Sequence, residues 1–200
     1  MKKIKIFVCC TEQSGENICS NILSRIDIDK FQVDGVCGRQ SEKYITNKIY
    51  DLSEFKSIGF FEIILSIAKY LKMIRNIKNY IIRNDYDLIL TIDSPDFNFN
   101  LVNKLRKSNY KKKIIHIVAP TVWAWRSYRA RKFANIFDEI FLLFNFEKKY
   151  FNFQNFNKTF IGHPIFHIKK RKKKNNYNYI AFLPGSRQNE VLKLIKYFKH

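Results

Sequence analysis

Short apolar runs alternate with longer amphipathic stretches along most of the chain. Several of the short runs are almost continuously apolar, which is typical of strands buried on both faces of a parallel sheet. Each of these runs is therefore predicted to be a strand. The predicted strands are 3–10, 31–37, 87–93, 112–120, 138–144, 158–164 and 177–185.

The stretches between the runs carry apolar residues at helical spacing. One helix is predicted just after Glu16 and a last one after Arg187, with others at 60–83, 97–108 and 127–135. Strands that alternate with helices indicate a parallel sheet joined by right-handed crossovers. The pattern therefore predicts an α/β protein with a Rossmann-like parallel sheet.

The run HIKKRKKKNNY at 167–177 fits neither a strand nor a helix. A nucleic-acid tag and a solvated linker are both consistent with such a run. The segment that follows resembles a new strand, a Pro-Gly turn and a new helix, which favours the linker. We predict an N-terminal Rossmann-like domain at 1–166, a basic linker at 167–177 and the incomplete beginning of a C-terminal domain at 178–200.

The composition is strongly basic, with 37 Lys and Arg against 17 Asp and Glu and a formal net charge of +20. Such a charge favours phosphate-bearing partners, and nucleic acid, anionic lipid and nucleotide substrates all qualify. The chain is also rich in Ile, Asn, Phe and Tyr, which together with Lys are over-supplied by an AT-rich genome. The charge alone therefore does not choose among these partners.

Four cysteines, Cys9, Cys10, Cys19 and Cys37, form no CxxC pair, so buried reduced thiols are expected rather than disulfides or a zinc site. The first apolar run is only about five residues long, too short for a signal peptide. No stretch reaches the roughly 18 apolar residues of a membrane-spanning helix. We expect a cytoplasmic protein, attached at most to a membrane face.

Polar residues follow the first strand at Ser14, Gly15 and Glu16. Ligands of open α/β sheets bind at the carboxyl ends of strands, where a glycine lets backbone amides approach. The same residues also form an ordinary capping sequence. They are candidate cleft residues, and helix capping remains the alternative.

A carboxylate, Asp93, stands at the end of the strand 87–93. A carboxylate held in a cleft at a strand end is a candidate general base. Pro95 and Asp96 suit the start of the next helix and need no catalytic role. The alternative for Asp93 is a turn-forming aspartate.

Two tryptophans, Trp123 and Trp125, lie beside Arg126, Arg129 and Arg131. Aromatic residues among arginines stack bases and bind phosphates in single-strand nucleic-acid proteins, and they also suit a sugar nucleotide. A third interpretation places one tryptophan in the core and the arginines on a helix surface. The sequence leaves all three open.

Two histidines, His163 and His167, are four residues apart, as in a zinc-protease helix. Pro164 between them and the missing glutamate argue against that site. We predict a special loop at the domain boundary, with His163 either facing the cleft or held structurally.

The predicted helix 60–83 combines an apolar side with basic residues elsewhere. A basic amphipathic helix can lie in an anionic membrane surface, and burial against the sheet is the alternative. Because apolar residues are dense near the start of the helix, we predict that its first two turns contact lipid or acyl chains. The predicted contact residues are Phe60, Phe61, Ile63, Ile64, Ile67 and Leu71.

An ordered set of motifs resembles the lipid-A-disaccharide synthase family. The motifs span nearly the whole chain. They are EQSGE at 12, GVCG at 35, SIGFFEI at 57, TIDSPDFN at 91, APTVWAWR at 119, FNFEKKYF at 144, IGHPI at 161 and LPGSRQNEV at 183.

This resemblance implies an inverting glycosyltransferase of the two-domain B type, with this chain as its N-terminal domain and a truncated second domain. Such enzymes transfer 2,3-diacylglucosamine from UDP-2,3-diacylglucosamine to 2,3-diacylglucosamine 1-phosphate, giving lipid A disaccharide 1-phosphate and UDP for lipopolysaccharide. No metal or cofactor is expected. Asp93 becomes the general base. The implied substrate-binding residues are Ser14, Gly15, Glu16, Asn98, Trp125, Arg126 and His163. The implied nucleotide-binding residues are Gly185, Ser186, Arg187 and Glu190.

The resemblance also implies a peripheral protein on the anionic inner face of the cytoplasmic membrane, without nucleic acid as a partner. The family usually has Asp where this chain has Glu16, so a longer carboxylate must be accommodated. The later donor-binding motifs would lie beyond His200, so we expect the chain alone to be inactive unless a second chain supplies that half. A nucleic-acid-binding module and a non-catalytic remnant are the alternatives.

Overall fold

The computed structural model describes residues 3–55, 63–167, 180–185 and 188–198. The chain divides into two compact units, Met1–His167 and Ile168–His200. The strands are β1 (Ile4–Cys10), β2 (Phe31–Cys37), β3 (Asn47–Asp51), β4 (Leu88–Ile92), β5 (Lys113–Ile117), β6 (Glu139–Leu142) and β7 (Asn157–Phe160). The α-helices are α1 (Gln13–Leu23), α2 (Arg39–Glu42), α3 (Ile63–Asn84), α4 (Pro95–Lys107), α5 (Arg129–Ala134) and α6 (Gln188–Leu194). Short 3₁₀ segments occupy Leu52–Phe55, Asn145–Phe151, Pro164–His167 and Ile195–Phe198.

The seven strands found among the described residues form one parallel sheet in the order β3-β2-β1-β4-β5-β6-β7. This arrangement confirms the predicted Rossmann-like α/β fold. The chain moves outward from β1 to β3 and then returns to the other side of β1 with β4. The order therefore reverses between β1 and β4, where Cys10 pairs with Ile92 at the strand ends. In sheets of this kind, ligands bind outside the carboxyl ends of the strands at such a switch point.

Both faces of the sheet are buried along the central strands β1, β2, β4 and β5, which explains their nearly continuous apolar runs. Along β1, Phe7 and Cys9 belong to one core cluster and Val8 and Cys10 to another, as the alternation of side chains across a strand requires. Helices α3, α4 and α5 contribute to the first cluster and α1 to the second.

One strand of the sheet, β3, was not predicted. It lies at the edge of the sheet, and its only apolar residues, Ile49 and Tyr50, are half-buried. Conversely, a strand was predicted at 177–185, but residues 180–185 contain none. A strand needs a neighbour for its backbone hydrogen bonds, and a run with no paired strand has no reason to stay extended.

Helix α3 is amphipathic, with Ile74, Ile77 and Ile81 buried against the sheet. Near its beginning Ile67 is 53% and Leu71 49% exposed. No helix in the described parts of the chain is both long enough and apolar enough to cross a membrane. The other predicted contact residues lie outside the described side chains: Phe60, Phe61, Ile63 and Ile64.

Candidate active site

The carboxylate of Asp93 lies at the switch point, directly after β4. Asp93 and Ser94 both adopt positive φ, 56° and 43°, which is uncommon for residues other than glycine. The hydroxyl of Ser14 in α1 donates a hydrogen bond to Asp93 Oδ2. The structure thus brings together two of the predicted site residues, from elements 79 positions apart in the sequence.

Three hydrogen bonds fix the backbone on either side of this carboxylate. Asp93 N donates to Ile117 O at 2.9 Å, Asn98 Nδ2 donates to Asp93 O at 2.7 Å, and Asn98 N donates to Ser94 O at 3.0 Å. Asn98 is fully buried, and its Oδ1 has no hydrogen-bond partner among the described residues. Asn98 therefore contacts the backbone of the Asp93 loop, and this support stabilises the left-handed conformation.

Gly15 permits the close approach of α1 to β4. A Cβ at this position would lie 3.0 Å from Asp93 Cβ, 3.2 Å from Cys10 Sγ and 3.3 Å from Ile92 Cγ2. These distances are tighter than ordinary van der Waals contact. The absence of a side chain at Gly15 is thus what lets Ser14 reach Asp93.

Glu16 is 1% exposed, and both of its carboxylate oxygens accept backbone hydrogen bonds. Gly38 N donates to Oε2 and Ser41 N donates to Oε1, each at 2.9 Å. A Cβ on Gly38 would lie only 2.8 Å from Glu16 Cδ. The side chain therefore connects α1 to the turn that begins α2, and it borders a pocket of about 410 Å³ at the ends of β1, β2 and β3.

A buried polar pair that the sequence did not indicate lies in the sheet below this site. Thr91 Oγ1 and His116 Nδ1 are 2.8 Å apart, and the His116 ring packs against Phe133 and Phe137 at 5.1 Å between centroids. Burial lowers the pKa of His116 to about 3, because the charged imidazolium would lose its hydration. The ring is therefore neutral near pH 7 and supports β4 and β5 from inside the core.

Trp125 and Arg126 lie on the loop after β5. Trp125 is 67% exposed, and the guanidinium of Arg126 lies 3.8 Å from the centroid of its indole ring. Trp123 is half-buried and packs edge-on against Phe146 at 5.0 Å. One tryptophan therefore packs within the fold, while the other is presented to solvent with an arginine over its face.

His163 follows β7, where its ring stacks on Phe144 at 5.6 Å between centroids. Its Nδ1 accepts a hydrogen bond from Ile165 N at 3.1 Å. This bond closes the turn into the segment Pro164–His167 and, in the neutral ring, places the proton on Nε2.

The predicted nucleotide-binding residues belong to the second unit, Ile168–His200. Gly185 has a φ of 102°, a conformation that glycine adopts without strain. Glu190 lies in α6, and its side chain is outside the described part. Ser186 and Arg187 are outside the described residues.

Comparison with known protein families points to one family. A family profile described as Lipid-A-disaccharide synthetase matches residues 6–200. A lipid-A-disaccharide synthase from Rickettsia bellii (strain OSU 85-389) is 37% identical over 163 residues, covering 80% of this chain and 43% of that protein. Proteins of the same name from Chlamydia muridarum and Rickettsia prowazekii are each 32% identical, covering 94% and 97% of this chain but 33% and 54% of their own lengths. The chain thus spans between a third and about half of these curated relatives.

The fold also resembles a solved structure. A crystal structure from Listeria monocytogenes, assigned as a UDP-N-acetylglucosamine 2-epimerase, superposes with a TM-score of 0.53 and 15% identity. The match covers 76% of this chain and 42% of the epimerase chain. At this identity the likeness concerns the fold alone.

Proposed function

The chain belongs to the lipid-A-disaccharide synthetase family, and from this premise we propose that it forms the acceptor-side part of a lipid-A-disaccharide synthase. The proposed reaction transfers 2,3-diacylglucosamine from UDP-2,3-diacylglucosamine to the 6-hydroxyl of 2,3-diacylglucosamine 1-phosphate and releases UDP. The observation that supports it most strongly is the Asp93 carboxylate at the switch point, hydrogen-bonded by Ser14.

In this proposal Asp93 is the general base of a single displacement. One carboxylate oxygen accepts a hydrogen bond from the Ser14 hydroxyl, and the other takes the proton of the acceptor 6-hydroxyl. The acceptor oxygen then bonds to the sugar carbon of the donor as the bond from that carbon to UDP breaks, which inverts the configuration. A positioned base contributes about 10²- to 10⁴-fold to rate.

The residues around Asp93 position this carboxylate. Asn98 holds its backbone, and Gly15 lets α1 approach the strand end. Each carboxylate oxygen of Glu16 accepts a hydrogen bond from an amide of the turn before α2, and in the proposal Glu16 lines the cleft on the substrate side. In the proposal, Trp125, Arg126 and His163 provide the ring and polar contacts of the substrate side.

The donor side of the reaction requires more than the cleft described above. We assign Gly185, Ser186, Arg187 and Glu190 to UDP binding, with Arg187 on the phosphates, where negative charge increases as UDP departs. The chain spans between a third and about half of its relatives, so we expect transfer only when a donor-binding half is supplied, in the same chain or by a second one.

Both proposed substrates carry acyl chains, which requires access to a membrane. The exposed Ile67 and Leu71 near the beginning of α3 and the net charge of +20 support attachment to the anionic inner face of the cytoplasmic membrane. Preference for vesicles that contain anionic lipid is the expected result. Tight binding to RNA or DNA with a steep salt dependence would favour the nucleic-acid alternative instead.

A completed protein tests the proposal. The chain is joined to the donor-binding half of the Rickettsia bellii relative and supplied with both acylated substrates in mixed micelles. Formation of the tetraacyl disaccharide 1-phosphate, with one UDP released per bond, is the expected result. UDP release without disaccharide, or no reaction in a folded protein, would refute the assignment.

A further inference from the structure

A small basic pocket lies between the first turn of α4 and the beginning of α5. Its volume is about 200 Å³. Of its lining residues only Arg126 has been assigned to the substrate side, and the role of the other cations is unassigned. Its polar lining consists of Asp96, Asn100, Arg126, Tyr128, Arg129 and Lys132.

The charges of this pocket do not balance. Arg129 Nη2 pairs with Asp96 Oδ1 at 2.5 Å. Arg126 and Lys132 form no ion pair with any residue in the described parts of the chain. Two cations are thus uncompensated, in a concave site where their attraction for an anion adds up.

Each of these two exposed cations lies beside an aromatic ring. The Arg126 guanidinium lies over Trp125 at 3.8 Å, and Lys132 Nζ lies 4.9 Å from the centroid of Tyr128. Arg126 also has a φ of 55°, which is unfavourable for a residue with a Cβ and fixes where its side chain begins. A cationic side chain that already rests against a ring loses less rotational freedom on binding an anion than an unconstrained side chain does.

The pocket involves the helix that begins just after Asp93. Asp96 is three residues further along the chain, about one helical turn, and Asn100 lies one turn beyond it on the same helix. Asn100 Nδ2 donates to Asp96 O at 2.9 Å and so belongs to the same turn. The pocket therefore begins at the turn of α4 that directly follows the Asp93 loop.

We propose that this pocket binds the phosphomonoester of the acceptor sugar. In a hexopyranose 1-phosphate the carbon that carries the phosphate and the carbon that carries the 6-hydroxymethyl group flank the ring oxygen, so both groups project from one end of the sugar. A phosphate held by Arg126, Arg129 and Lys132 would thus direct the hydroxyl toward Asp93. Arginine provides paired donors that match phosphate oxygens, which suits a dianionic monoester. The identity of the acceptor rests on the proposed function, whereas the anion-binding pocket does not.

Binding to the chain itself tests the pocket. We expect glucosamine 1-phosphate, followed by NMR or calorimetry at low salt, to bind more tightly than glucosamine and more tightly than inorganic phosphate. Arg126→Asn, chosen because Asn tolerates a positive φ, and Lys132→Gln should each weaken the binding roughly tenfold. Lys104→Gln and Lys107→Gln, in the last turn of α4, serve as matched controls and should leave it unchanged.

Equal affinity for glucosamine and glucosamine 1-phosphate would overturn the proposal, as would binding that both pocket variants leave intact. Equal affinity for inorganic phosphate would also overturn it, since the sugar would then make no contact. Transfer assays on the completed protein distinguish a failure of the proposed pocket from a failure of the proposed enzyme function. Transfer without any preference for a phosphorylated acceptor refutes the pocket alone, whereas pocket binding without transfer refutes the enzyme assignment alone.

Discussion

Replacement of Glu16 by Gln tests whether this buried carboxylate connects α1 to α2. The carboxylate accepts two amide hydrogen bonds at 2.9 Å, from Gly38 and Ser41. Hydrogen bonds to a buried charged group contribute about 1.5–3 kcal/mol each. Glutamine keeps one acceptor, but its NH₂ then faces an amide N–H, so one bond is lost and the other loses its charge. Because the cost of burying a charge disappears as well, we expect a net loss of about 2–4 kcal/mol in the free energy of unfolding.

Urea unfolding followed by circular dichroism measures this change. Glu42→Gln is the matched control, because Glu42 lies in α2 itself and its side chain is 54% exposed in a pair with Lys48. Exposed pairs of this kind contribute at most about 1 kcal/mol. If Glu16→Gln destabilised the protein no more than Glu42→Gln does, the structural assignment of Glu16 would be wrong.

Three further predictions follow from buried groups. Gly15→Ala should destabilise the protein by about 1–3 kcal/mol, because the new Cβ would lie 3.0 Å from Asp93 Cβ. An unchanged midpoint of urea unfolding would contradict this close approach. Burial lowers the pKa of His116 from 6.5 to about 3, so between these values the unfolded chain binds a proton that the folded chain does not. The free energy of unfolding should therefore fall by up to about 1.4 kcal/mol for each pH unit as the pH drops from 6.5 to 3. Urea titrations at several pH values measure this slope, and His116→Gln should reduce it. Burial raises the pKa of the Cys9 thiol above its usual range and that of the Cys37 thiol to about 12. A thiol reagent should therefore label these residues only after unfolding, and rapid labelling of the native protein would refute their burial.

The sheet was largely predictable because its central strands are buried on both faces. Six of the strands in it follow runs of apolar residues that a helix surface would not need. The edge strand β3 gave no such signal, since Ile49 and Tyr50 are its only apolar residues and both are half-buried. For 177–185 the apolar pattern predicted a strand, but residues 180–185 form none, because pattern alone does not supply a neighbouring strand.

The centre of the site was predictable for a related reason. Ser14 and Asp93 each follow a buried strand, and parallel strands place their carboxyl ends at one edge. The partners of Glu16 were not predictable, because Gly38 and Ser41 are 22 and 25 residues away and donate through their backbone. The basic pocket needed coordinates as well, since the cations after β5 meet Asp96 only in three dimensions.

In the proposed reaction Asp93 removes a proton during sugar transfer, and turnover of the completed protein tests this role most directly. Asp93→Asn keeps the size of the side chain and tolerates the positive φ. Asp85→Asn is the matched control, since Asp85 has a φ of 47° and precedes the amino end of β4, the same strand. We predict that Asp93→Asn lowers kcat by about 10²- to 10⁴-fold while Asp85→Asn leaves it unchanged. Equal turnover of the two variants, in proteins of equal stability, would contradict the account.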